Sequence, residues 1–190
     1  FEIITDAIVV DKTDTGEQDQ RISLYTKDFG KVVAKTTSTR KILSKLAAHV
    51  EPLNLVSARL VSRGDGFDMR GFQLVDALSF DAAAAVKRDP QVLIQAVKVF
   101  ECVFQSIPAG VPDEELWDFF QAIRTGRSMA SLDTALHALG LNAQFARCQI
   151  CDRVQPEYFV AGKNFFLCTA CRSAARIDHA QDMAFHYKIA

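Results

Sequence analysis

The hydrophobic pattern starts with strands. "EIITDAIVV" is short and rich in β-branched residues. "RISLYTKD" alternates, with Ile22, Leu24 and Tyr25 set against Arg21, Ser23 and Lys27 and one slip at Tyr25. Asp28-Phe29-Gly30 is a turn signal, and "KVVAKTT" continues as the second arm of a hairpin. The period then changes. "STRKILSKLAAHV" places Ile42, Leu43, Leu46, Ala47 and Val50 at helical spacing, with Ser38 or Thr39 as N-cap and Pro52 as the stop. "LNLVSARLVSR" and "GFDMRGFQLVDAL" predict two more strands around the turn Gly64-Asp65-Gly66.

From about residue 80 the chain becomes alanine-rich and helical. "QVLIQAVKVFECVFQSI" carries Leu93, Val97, Phe100, Phe104 and Ile107 on one stripe and is broken by Pro108, Gly110 and Pro112. "DEELWDFFQAI" follows, with Asp113, Glu114 and Glu115 in its first turn, where they suit the positive end of the helix dipole. "SLDTALHALG" is a further short helix stopped by Gly140. These shifts divide the chain into residues 1–78, a helical block 79–146, a cysteine-bearing module 147–173, and a C-terminal segment 174–190 expected as a helix packing on the helical block. The fold class is α+β and multidomain. Three strands, a helix and two strands are the element order of an OB-fold, a small Greek-key barrel that often carries single-stranded nucleic acid or oligosaccharide. Other small barrels and α+β domains share that order.

Composition adds bounds. The chain has 190 residues, 49% hydrophobic and 24% charged, with a formal net charge of −1. That balance can bury a core, and it requires any nucleic-acid function to come from a local basic patch. No apolar run reaches the roughly 18 residues needed to span a bilayer. The opening segment carries acids where a secretory signal would carry basic residues. A soluble cytosolic protein is expected, with a few residues preceding Phe1. In such a reducing compartment, paired cysteines are read as metal ligands before disulfides.

Four of the five cysteines form two pairs, Cys148-x2-Cys151 and Cys168-x2-Cys171, separated by 16 residues. A tight Cys-x2-Cys turn brings two thiolates to one side of an ion, and two such turns close a tetrahedron around zinc. The spacer "EYFV", Ala161-Gly162-Lys163-Asn164, "FFLC" reads as a hairpin that returns the second pair to the first. The expectation is one structural Zn2+ in a zinc ribbon-like module, with a redox dithiol or a vestigial site as the alternatives. Four thiolates leave no open position for substrate or water. Cys102, inside an apolar helix, is read as a core thiol.

A second feature is charge. Residues 27–45 carry six basic side chains (Lys27, Lys31, Lys35, Arg40, Lys41, Lys45) against one acid, Asp28. In a barrel these could share a side with Arg59, Arg63 and Arg70, as a groove tracking a single strand requires. Phe29, Phe67 and Phe72 are candidate stacking faces. The competing readings are a solvated charged face and core aromatics. The four histidines (His49, His137, His179, His186) are scattered, and no paired carboxylate, nucleophile motif or phosphate loop stands out. An enzyme is not expected.

Three stretches together resemble one family, the RecO proteins of bacterial recombination and repair. "DAIVVDKTDTGEQDQRISLYTKDFGKVVAK" is similar to the family's strand, Gly-Glu-x-Asp-like turn and hairpin. "SKLAAHVEPLNLVSARLVSRG" resembles its Leu-x4-Glu-Pro-hydrophobic signature, and "ALGLNAQFARCQICDR" its short helix, Gly and entry to Cys-x2-Cys. Their order and spacing make the match specific. The chain departs from the family at "TTSTRK", which keeps Arg40 and Lys41 but lacks the usual Gly-Ala-Arg-Arg-like stretch, and it ends sooner after the second cysteine pair. The resemblance implies an N-terminal OB-fold binding single- and double-stranded DNA, a helical domain and an inserted four-cysteine zinc module. It implies annealing of complementary strands without ATP. It also implies RecR as a partner, contact with the tail of single-strand-binding protein, loading of RecA, and a cytoplasmic, nucleoid-associated location. The alternative is a zinc-stabilised adaptor that binds mainly protein.

Overall fold

A computed structural model describes residues 1–15, 19–36, 46–62, 71–81, 84–174 and 186–189. It divides into two compact units, residues 1–97 with 108–128, and residues 98–107 with 129–190.

The first unit is built on five strands: β1 (Glu2–Asp14), β2 (Gln20–Thr26), β3 (Gly30–Thr36), β4 (Leu55–Ser62) and β5 (Phe72–Asp81). All the strand segments read from the alternation are present. They pair in the cyclic order β1-β2-β3-β5-β4, and β4 returns to β1 along the register Glu2↔Val61 to Ile8↔Leu55. The seam is thin: β3 meets β5 through one parallel pair, Lys35↔Gln73. The inward positions are those that alternation predicts. Val9, Ile22, Leu24, Val32, Ala34, Val56, Ala58, Leu60, Phe72 and Leu74 form one buried cluster. Phe72 is thus core, and Phe29 packs against the same cluster; neither is a free stacking face. Phe67 lies outside the described residues, as does most of the segment read as a helix over 38–50. Residues 46–49 of that segment are turn.

Helices α1 (Ala84–Lys87), α2 (Pro90–Ser106) and α3 (Glu114–Arg124) follow. Asp113 is the N-cap of α3, its side chain accepting from the Leu116 N–H at 3.0 Å. In the first unit α3 explains the slip at Tyr25. Tyr25 faces outward by register yet is fully buried, because Phe120 and Trp117 lie against it with ring centroids 4.8 and 6.5 Å away. Its hydroxyl donates to the Asp113 carbonyl at 3.0 Å and accepts from the Asp113 N–H at 3.2 Å. Gly30 has φ +61°, and a Cβ there would meet the Val111 carbonyl oxygen at 2.1 Å. Only glycine permits this turn and this approach.

The second unit contains the end of α2, helix α4 (Leu132–Ala138), a 3₁₀ turn (Ala143–Phe145), strands β6 (Tyr158–Val160) and β7 (Phe165–Leu167), helix α5 (Thr169–Ala174) and strand β8 (His186–Lys188). The capping box of α4 uses Ser131 and Thr134. The predicted hairpin is present, with its turn at residues 161–164 and the pairs Tyr158↔Leu167, Phe159↔Phe166 and Val160↔Phe165. The expected C-terminal helix is corrected at its end. Residues 186–188 are a strand that pairs with β6 through Phe159↔Tyr187, making a three-stranded sheet β7-β6-β8. The open edge of β6 accounts for this, because unpaired strand hydrogen bonds are satisfied by any extended segment that reaches them.

Candidate metal centre and nucleic-acid face

The metal centre is assembled by backbone geometry on both sides. In the first knuckle, the Cys148 N–H donates to the Arg153 carbonyl and the Asp152 N–H to the Cys148 carbonyl, each at 2.9 Å. Asp152 takes φ +57° to complete the turn. The Gln149 N–H donates to the Phe166 carbonyl at 2.9 Å and ties the knuckle to β7. In the second, Cys168 follows β7 directly and Cys171 lies in the first turn of α5. The Cys171 N–H points at the Cys168 Sγ at 3.4 Å. Glu157 accepts from the Thr169 N–H at 2.9 Å at the start of that helix.

The four sulfurs all lie within 4.8 Å of one another. Cys151 Sγ and Cys168 Sγ are 3.7 Å apart, far beyond a disulfide bond of about 2.05 Å. That separation is close to the edge of about 3.8 Å of a tetrahedron built on Zn–S bonds of about 2.3 Å. The donor set therefore fits a four-coordinate thiophilic ion. Burial pushes the Cys148 thiol up, but the backbone N–H groups of Cys168, Cys151 and Ile150 outweigh it and hold the group down at about 6. A hydrogen bond donated to Cys151, with burial, pushes Cys171 up to about 12. Cys102 is buried and unpaired, and burial pushes its thiol up to about 12, as suits a core residue.

Three of the candidate DNA residues, Lys31, Lys35 and Arg59, lie among the described residues. Arg40, Lys41, Lys45, Arg63 and Arg70 lie outside the described residues. Lys31 is half-buried on β3, where burial holds its ammonium below the usual range; its carbonyl accepts from the Gly110 N–H at 3.1 Å. Lys35 is exposed four residues further along β3. Arg59 is exposed on β4 but donates to Glu2 at 2.7 Å, with Asp76 as its β5 neighbour. Around the ring Arg59 is separated from Lys35 by β5.

Sequence reading missed two groups of polar residues. Arg124 is 2% exposed; its Nε donates to the Leu53 carbonyl at 3.1 Å and its Nη1 to Gln121 at 3.0 Å. Its only local signal was a basic residue closing an apolar helix face. Beside it a cavity of about 480 Å³ is lined by Lys12, Glu51, Pro52, Lys87, Leu93 and Val97. Lys12 pairs with Glu51, and Lys87 donates to Asn54 at 2.7 Å. The Glu-Pro signature thus anchors the segment before β4, where Leu53 turns back with φ +70°. Of the histidines, His49 accepts from the Ser79 N–H at 3.1 Å and His186 from Arg172 at 3.3 Å, both packing roles.

Residues 1–76 match the family described as Recombination protein O N terminal. The DNA repair protein RecO of Thermodesulfovibrio yellowstonii is 22% identical over 179 residues, covering 90% of this chain and 70% of the relative. That of Myxococcus xanthus is 24% identical over 156 residues, covering 77% and 62%. A third, from Dehalococcoides mccartyi, reaches 42% over 64 residues, 34% of this chain and 25% of its own. The chain is thus similar to RecO proteins, to the family's N-terminal model over residues 1–76 and, at 22–25% identity over most of its length, to relatives named DNA repair protein RecO. No helix among the described residues is long and apolar enough to cross a membrane.

Proposed function

We propose that this chain binds single- and double-stranded DNA through its N-terminal unit, anneals complementary strands without ATP, and acts with RecR to load RecA on gaps coated with single-strand-binding protein. The observation that carries the reading is the family match over residues 1–76, on strands whose cyclic order β1-β2-β3-β5-β4 is that of an OB-fold barrel. The four cysteines hold one structural Zn2+, which replaces a core the small module lacks. Lys35 and the basic residues Arg40, Lys41, Lys45, Arg63 and Arg70 supply the phosphate contacts. Lys31 and Arg59 contribute less, the first because it is half-buried and the second because Glu2 neutralises it.

The test is annealing of complementary oligonucleotides, with affinity measured across a salt series. The expected result is ATP-independent annealing and a linear fall of log affinity with log salt. Absence of any salt-dependent DNA affinity would sink the reading. It would leave the adaptor reading, which the burial of Lys31 and the Arg59–Glu2 pair favour, and which a pull-down with RecR or the single-strand-binding tail would then support.

A further inference from the structure

The register of the strand ring places two cations face to face. Arg21 on β2 is directly opposite Lys35 on β3. Thr13 on β1 flanks Arg21, and Gln73 on β5 flanks Lys35 across the seam. Arg21, Lys35 and Gln73 sit on the outer surface, because their chain neighbours Ile22, Ala34, Phe72 and Leu74 are buried in the core, and Thr13 is exposed. Arg21 and Lys35 are both exposed, and neither is in an ion pair among the described residues. On β1, Asp11 accepts from the Thr13 hydroxyl at 2.9 Å. Opposed like charges destabilise a strand pair, so this arrangement costs stability unless an anion lies between them.

The opposite end of the same hairpin is closed. Tyr25 and Lys31 face each other there. Trp117 and Phe120 of α3 cover Tyr25, and the Ala109–Gly110 backbone bridges to Lys31. Half of the β2–β3 outer face is therefore occupied from within the unit, and the half that remains open is the half bearing the opposed cations.

We propose that Arg21 and Lys35 form a two-cation clamp on a single backbone phosphate of bound DNA, so that the strand crosses β2–β3 at the Arg21–Lys35 end with Gln73 beside it. The clamp rests on the DNA-binding reading above. Two cations converging on one phosphate gain charge-assisted hydrogen bonds and lose their mutual repulsion in the same step. Arg21 is then a specific contact that the run of lysines and arginines over residues 27–45 does not include.

The test uses the full chain, a fluorescein-labelled oligothymidylate and anisotropy over a salt series, with R21Q, K35Q, the double variant and K163Q in the second unit. Because one phosphate is shared, the double variant should lose about one contact: affinity falls roughly tenfold and the salt slope by about 0.7, not about 1.4. Thermal melting should be unchanged or raised in the variants, since the repulsion is removed. R21K should recover part of the affinity. If the wild type binds DNA and the double variant binds with the same affinity and slope, the clamp is overturned and the DNA-binding reading survives. An equal loss in K163Q would reduce the effect to general charge and also overturn it. If the wild type binds no DNA, both fall together.

Discussion

The strand ring and the cysteine module stabilise themselves in opposite ways. In the ring, 13 buried apolar residues from all five strands and Val50 touch one another, and each contributes a little. In the module the sheet is three short strands, and the buried cluster around Cys148 and Cys168 adds only Val160 and Leu167, with Tyr158 and Phe165 at its edge. On the zinc reading proposed above, an ion held by the four sulfurs concentrates there what the ring spreads over a core. Stability that is distributed degrades gradually under mutation, whereas stability held at one point is lost at once.

The largest expected effect comes from attacking that point. Cys168→Ser, or a strong chelator, should release the metal and open residues 147–174 to protease, since structural zinc supplies on the order of 10–16 kcal/mol of apparent folding free energy in small modules. The melting of the first unit should stay in place, and a parallel loss of both would break the contrast. Next is the core of the ring. Leu24→Ala or Leu60→Ala should cost about 2–5 kcal/mol in urea unfolding, with metal content unchanged. Gly30→Ala forces a Cβ into the Val111 carbonyl at a positive φ, and a loss of about 1–3 kcal/mol is expected; a neutral result would mean that residues 109–112 can move off β3 freely. Asp113→Ala removes the N-cap of α3 at about 1 kcal/mol, seen as a lower urea midpoint with an unchanged slope.

The smallest effect concerns pH. The Arg59 hydrogen bond holds the Glu2 carboxyl below its ordinary range. A depressed carboxyl stabilises the fold above its unfolded pKa and loses that contribution as pH falls through its folded value. Both partners are exposed, so the effect is slight. Melting curves of Glu2→Gln and wild type should differ marginally at neutral pH and converge in acid. A difference that grows in acid would contradict the assignment.

Much of this was legible in the chain. Alternation in "RISLYTKD" and "KVVAKTT" identified strands and their buried faces, because a period of two is a local property. The Cys-x2-Cys spacings and the hairpin between them identified the four-cysteine cluster for the same reason. The 186–188 strand was not legible, because three residues carry no period and their conformation comes from the β6 edge. Tyr25 looked like a slip and proved to be an outward residue with its own cover. That Arg59 pairs with Glu2 was not legible either, because strand register brings the two together across the sheet.

By itself, then, the sequence determined the elements, the inward faces and the ligand set, since each depends on residues a few positions apart. Only the tertiary structure decided which side chains stand opposite one another. Strand register joins Arg21 to Lys35 and Arg59 to Glu2 across 14 and 57 positions of chain, and α3 closes one end of the face that the first pair leaves open. Those pairings follow from burying the core in a cyclic order of strands, a condition on the whole domain that no local pattern can express.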